Sequence, residues 1–178
     1  MADSTTREKR SRMVTGMFRD RDSAENAYRS LNERGYTNDD VNLMMSDEAR
    51  KKHFSDDDAK TDLGNKALEG AGVGAGIGGT LGAIVAGIAA VGTLAIPGVG
   101  LIAAGPIAAA LAGLGAGAAT GGLIGALVGA GIPEERAKVY DRGIKEGGIV
   151  MGVTPRSDED AAYIEQEWKR HRGEEIYR

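Results

Sequence analysis

Sixty-three consecutive residues, Gly70 to Ile132, contain no lysine, arginine, aspartate or glutamate and no aromatic ring. All 22 basic and 26 acidic side chains lie in the two flanks. So abrupt a change at both edges marks an insertion or a membrane segment. Glycine is a poor helix former in water, costing roughly 1 kcal/mol against alanine, yet here it is patterned. Gly70, Gly74, Gly78 and Gly82 recur every four residues, and Ala86 and Ala90 extend the row. After Ala109, Gly113, Gly117, Gly121, Gly125 and Gly129 repeat the period. A period of four puts these residues along one helical face, where missing side chains let two backbones approach closely.

Between the rows lies Ile96-Pro97-Gly98-Val99-Gly100, a turn signal. The pattern predicts a hairpin of two helices, at about 66–92 and 103–131, turning at Pro97, Gly98 and Gly100. Each arm would be roughly 40 Å long at about 1.5 Å per residue, and Pro106 suits the first turn of the second. Each arm exceeds the ~20 apolar residues that span a bilayer core, and the turn carries no polar cap. Glycine and alanine add little hydrophobic gain, however, and neither an aromatic belt nor a Lys/Arg asymmetry marks the edges. Burial in lipid and burial between subunits both remain open.

At 178 residues the chain has room for one domain with an insertion. The net charge of −4 and the lack of a basic face argue against nucleic acid as a partner. No cysteine is present, which excludes disulfides and thiolate metal sites. Residues 1–12 are polar, mixed in charge and without an apolar core, and read as a disordered arm rather than a secretory signal.

The flanks read as one split α/β domain, 13–48 and 133–178. Val14 to Phe18 is a strand, and Asp20 to Ser23 supplies caps for a helix with Ala24, Ala27, Tyr28 and Leu31 on one stripe. Gly35 ends it, and Val41 to Met45 is a second strand. After the insertion, Pro133 suits a first helical turn and Glu134 and Glu135 favour the helix start. Ala137, Tyr140 and Ile144 form its stripe, and Gly147-Gly148 ends it. Ile149 to Val153 is a strand, and Ser157 caps a helix with Ala161, Ile164 and Trp168 inward. Gly173 ends that helix before a short strand over Glu174 to Tyr177. Two β-α-β halves in this order predict an α+β fold, a ferredoxin-like split sandwich interrupted by the glycine-zipper hairpin. Met44, Met45 and Trp168 are expected core residues. The charged stretch 49–65 reads as a linker, and 66–132 as the hairpin.

Motifs for chemistry fail on inspection. Asp56, Asp58 and Asp62 hint at a calcium loop, but Thr61 and Ala67 stand where its glycine and bidentate glutamate belong. Gly74 to Gly79 contains a dinucleotide-type glycine pattern without the following acid. No lysine and serine or threonine follow a glycine run. His53 and His171 have no partner at ligand spacing, and capping accounts for Asp158 and Asp160. No catalytic, cofactor-binding or metal residue is assigned, and neither an enzyme activity nor a small-molecule substrate is expected.

Phe18-Arg19-Asp20-Arg21-Asp22-Ser23-Ala24-Glu25 and Gly35-Tyr36, within Val14 to Met45, resemble the general stress protein 17M-like domain of the heat-induced stress protein YflT family. Leu94 to Gly100 and the run Gly131-Ile132-Pro133-Glu134-Glu135-Arg136-Ala137, continuing to Gly147-Gly148, look like larger bacterial relatives with a glycine-rich insertion. The resemblance covers nearly the whole chain and implies a bacterial general-stress protein, with no catalytic residues to carry over. The expected protein is membrane-associated through its hairpin, with the α/β domain on the cytoplasmic side of the inner membrane. The alternative is a soluble homo-oligomer, a ring, tube or filament, whose hairpins pack between subunits.

Overall fold

The computed structural model describes residues 13–53, 94–96, 101–105, 123–125, 127–129 and 131–178. Its elements run β1 (Val14–Phe18), α1 (Arg21–Glu33), β2 (Val41–Ser46), α2 (Asp47–His53), β3 (Leu94–Ile96), β4 (Leu101–Ala104), α3 (Glu134–Lys145), β5 (Ile149–Val153), α4 (Asp158–Arg170) and β6 (Glu174–Tyr177). The fold is α+β. The described strands form one sheet in the order β3-β4-β2-β5-β1-β6, with every neighbouring pair antiparallel. β5 lies between β1 and β2, aligning Val14 and Val41 with Val153 from its two sides. β1 and β2 therefore run parallel, joined by α1. β5 and β6 likewise flank β1 and are joined by α4.

The helix starts follow local chemistry. Asp20 accepts the Ser23 N–H at 2.8 Å, and Ser157 accepts the Asp160 N–H at 3.1 Å, so each cap satisfies one free donor of its helix. Pro133 sits at the cap of α3, one residue before the first-turn position expected of it. The helix ends share a device. After α1, Gly35 is left-handed (φ +85), its N–H reaches Asn32 O, and the Tyr36 N–H reaches Leu31 O. This Schellman closure recurs after α3 at Gly147 and after helical residues 127–129 at Gly131. After α4 the left-handed residue is Arg172 (φ 61), one position before Gly173, the residue expected to end the helix. Gly173 answers a different demand, since a Cβ there would sit 2.7 Å from the Trp168 carbonyl oxygen.

The central strands β1, β2 and β5 are buried on both faces. On one, Val14, Phe18, Leu43, Met45, Ile149 and Met151 pack against Leu31 of α1 and Ile164 and Trp168 of α4. On the other, Met17, Met44, Ala103 and Val150 meet Tyr140 and Ile144 of α3, together with Leu123, Leu127 and Ile132. Two covered faces explain why β2 and β5 read as nearly unbroken apolar runs. Met44, Met45 and Trp168 are core residues, each at most 1% exposed.

Two expectations are corrected. The Pro-Gly turn does not join two helices, the second starting near residue 103. Instead Leu94–Ile96 and Leu101–Ala104 are strands, paired from Ile96↔Leu101 to Leu94↔Ala103, and β4 continues onto β2 through Leu43↔Ala104. The sheet supplies the reason. Short apolar runs fit strand and helix alike, and the open side of β2 gives this one a backbone partner. Gly105 (φ +88) ends β4 where a Cβ would lie 2.2 Å from the Val41 carbonyl oxygen. The second correction concerns the linker at 49–65, whose first residues belong to α2. Ser46 Oγ accepts the Ala49 N–H at 3.0 Å, and Ala49 is buried. The arm at 1–12, linker residues 54–65, the first zipper helix, and Pro97, Gly98 and Gly100 lie outside the described residues.

Candidate functional site

The densest polar cluster joins the end of α1 to the start of α4. Asp160, buried in the first turn of α4, accepts from Arg34 Nε at 2.9 Å, from the Tyr36 hydroxyl at 2.7 Å and from Arg156 Nε at 3.2 Å. The Arg156 guanidinium lies 4.1 Å from the Tyr36 ring centroid and donates to the Arg34 carbonyl at 2.6 Å. Arg34 in turn lies 4.7 Å from the Tyr163 ring. The Tyr36 hydroxyl and then Arg34 hold the Asp160 carboxyl below its ordinary range, while burial pushes the Tyr36 phenol up. An ionised carboxylate bound to three donors has little basicity left for proton transfer. This cluster is a clasp between the two β-α-β halves. Capping at the start of α4 holds as expected through Ser157, while Asp160 does more than cap.

A second polar contact crosses the other face. Thr15 Oγ1 lies 2.8 Å from the Tyr140 hydroxyl, which donates to the Glu175 carbonyl at 2.7 Å. Glu175 is left-handed (φ 51), and the β1–β6 register slips there, so β6 carries a bulge. Burial pushes the Tyr140 phenol up to about 12. Neither contact is legible in the sequence, because its partners lie more than thirty positions apart.

Of the nine zipper glycines, Gly70, Gly74, Gly78, Gly82, Gly113, Gly117 and Gly121 lie outside the described residues. Gly125 and Gly129 lie on the helical residues 123–125 and 127–129. Leu123 and Leu127 turn into the core, while Gly125, Val128 and Gly129 are exposed. Spacings of three and four put those three on one side of a helix. Val128, at 43% exposure, is the sole exposed large apolar residue among those described. A cavity of ≈ 230 Å³ beside this segment is lined by Met13, Gly131, Ile132, Pro133 and Tyr177. It holds no titratable pair suited to acid–base work.

Among the described residues no group of three or more His, Cys, Asp or Glu side chains could hold a metal ion. His53 and His171 are half-buried, and burial followed by the charge of Lys52 pushes the His53 imidazole down. No described helix is long and apolar enough to cross a membrane. The sequence matches no protein-family model, and neither the curated proteins nor the solved structures give a match. The surfaces that distinguish this chain are its two sheet edges and the small-residue helical face.

Proposed function

We propose that the protein is a non-enzymatic bacterial general-stress protein that acts by self-association, with a ferredoxin-like scaffold presenting two small-residue arms. The strand order β2-β5-β1-β6 and its two interleaved β-α-β crossovers support the ferredoxin-like description. The bacterial stress role rests on the quoted sequence resemblance.

One observation favours assembly over a membrane-spanning hairpin. β3 and β4 return the middle of the charge-free stretch to the sheet edge. The stretch is thereby divided into two segments, each with both ends at the described domain. The first connects His53 to Leu94 through forty residues, of which only those from Gly70 onward are free of charge. The second, residues 106–122, supplies seventeen. Crossing a bilayer takes about 20 apolar residues, and crossing twice takes about 40. Neither arm has the ~40 apolar residues that two crossings take. A charge-free arm of small residues packs well against another copy, and the exposed face of Gly125, Val128 and Gly129 is of that kind.

Light scattering on protein purified without detergent tests the reading. A uniform multiple of the 18.5 kDa chain is expected. Protein that sediments with membranes, resists alkaline carbonate and needs detergent would instead mark an inner-membrane protein.

A further inference from the structure

We propose that the thioether of Met13 is a site of oxidation by peroxides, and that the Asn42 side-chain amide receives the sulfoxide oxygen. This chemistry is independent of self-association.

The chain has six methionines and no cysteine, so oxidation at sulfur is methionine chemistry here. Of the five described, Met17, Met44, Met45 and Met151 are core residues at 0–2% exposure. Met13, one residue before β1, is half-buried and packs against the core cluster that contains Ile132 and Tyr140. It also lines the cavity of ≈ 230 Å³, together with Ile132, Pro133 and Tyr177. Water takes a share of about 30 Å³ in the liquid. A hydrogen peroxide molecule therefore has room beside the sulfur, and the added oxygen has room afterwards.

The sulfur has a built seat. Met13 Sδ lies over the bare backbone of Gly152, where a Cβ would sit 2.9 Å from it. Asn42, at 3% exposure, stands opposite Gly152 in the β2–β5 register. Its side-chain amide donates to Met13 Sδ at 3.4 Å and to the Gly152 carbonyl at 3.3 Å. A thioether is a weak acceptor, whereas a sulfoxide oxygen is a strong one. The same amide thus gains a better partner once the sulfur is oxidised. A small shift of the flexible Met13 side chain brings that oxygen to the ordinary ~2.9 Å from Asn42 Nδ2. Met17 Sδ, by contrast, fills the space left by the missing Cβ of Gly143.

The step balances. A sulfur lone pair attacks one peroxide oxygen, and the S–O bond forms as the O–O bond breaks. The departing hydroxide takes the proton from the new S–OH and leaves as water. Sulfur loses two electrons, the peroxide gains them, and methionine sulfoxide results.

Dilute hydrogen peroxide added to the full chain, followed by digestion and mass spectrometry, reads the site. A gain of one oxygen is expected at Met13 roughly ten-fold or more faster than at Met17, Met44, Met45 or Met151. Fragment ions separate Met13 from Met17, which trypsin leaves on one peptide. In the oxidised protein, NMR should show the Asn42 side-chain amide proton moved downfield, with far-UV circular dichroism unchanged. Met13→Leu, a volume-conserving change, should remove both the fast oxidation and the Asn42 shift. Oxidation of Met13 no faster than of the four core residues overturns the site. An unmoved Asn42 amide, a shift that persists in Met13→Leu, or loss of the folded signal on oxidation overturns the seat.

Discussion

Replacing Tyr140 by phenylalanine isolates the contact that ties α3 to both β1 and the bulged edge. The Tyr140 hydroxyl has one proton and gives it to the Glu175 carbonyl at 2.7 Å. Thr15 Oγ1, at 2.8 Å, therefore donates to the tyrosine oxygen. Thr15 and Tyr140 are both 0% exposed. The phenyl ring keeps the packing, so almost no cavity forms. What is lost is the partner of a buried hydroxyl, a loss of about 1–3 kcal/mol. Water can reach the edge carbonyl, which favours a net destabilisation of about 1–2 kcal/mol. Thr15→Val removes the other member, and the double variant should fall short of the sum of the singles by about 1 kcal/mol. The phenol adds a pH signature. Its pKa is raised from 10.0 to about 12 by burial, so its contribution is complete below pH 10 and fades as pH climbs through 12. Urea unfolding from pH 7 to 12 should show the parent losing stability over that window more steeply than Y140F. A Y140F variant within about 0.5 kcal/mol of the parent, as for an ordinary surface change, or strict additivity with Thr15→Val, would show that this hydroxyl pair contributes no such stability.

Arg172→Gly should stabilise the chain by about 0.5–1 kcal/mol, because φ 61 strains a residue with a Cβ while glycine loses more chain entropy on folding; a thermal melt that falls would contradict this. Gly143→Ala should destabilise by about 1–3 kcal/mol, since its Cβ would sit 2.0 Å from Met17 Sδ where α3 meets β1. Pairing it with Met17→Ala should recover part of the loss in the same denaturant titration. Asp160→Asn should flatten the acid branch of stability. The lowered carboxyl contributes fully above its ordinary value of 3.8, and that contribution disappears as pH falls through the folded value. Parent and variant that lose stability in parallel between pH 6 and 2 would deny Asp160 that role.

Local patterns were legible where a single segment decides the outcome. The stripe Ala24, Ala27, Tyr28, Leu31 and the caps Asp20 and Ser157 stand as the sequence implies. Structure set by distant partners was not. Leu94 to Ile96 suits a helix or a strand equally, and only the open side of β2 chooses between them. The charges of Glu48, Arg50, Lys51 and Lys52 hid α2, whose anchor is the single small residue Ala49. The glycine at 173 points to the wrong residue for the helix closure, since the closing bonds place Arg172, not Gly173, at the position equivalent to Gly35. The Asp160 clasp joins residues more than 120 positions apart, and no spacing rule connects them.

With β3 and β4 on the sheet, neither of the two charge-free segments they separate has the ~40 apolar residues needed to cross a membrane and return. An engineered disulfide between Ser46 and Leu101, opposite each other in the β2–β4 register, tests that placement most directly. The Ser46→Cys change weakens the cap on α2 by about 1 kcal/mol, which the fold should tolerate. An intramolecular disulfide is expected in Ser46→Cys/Leu101→Cys protein extracted without detergent, seen as a mass two hydrogens lighter. Two free thiols after oxidation, on protein that remains in carbonate-washed membranes, would contradict it.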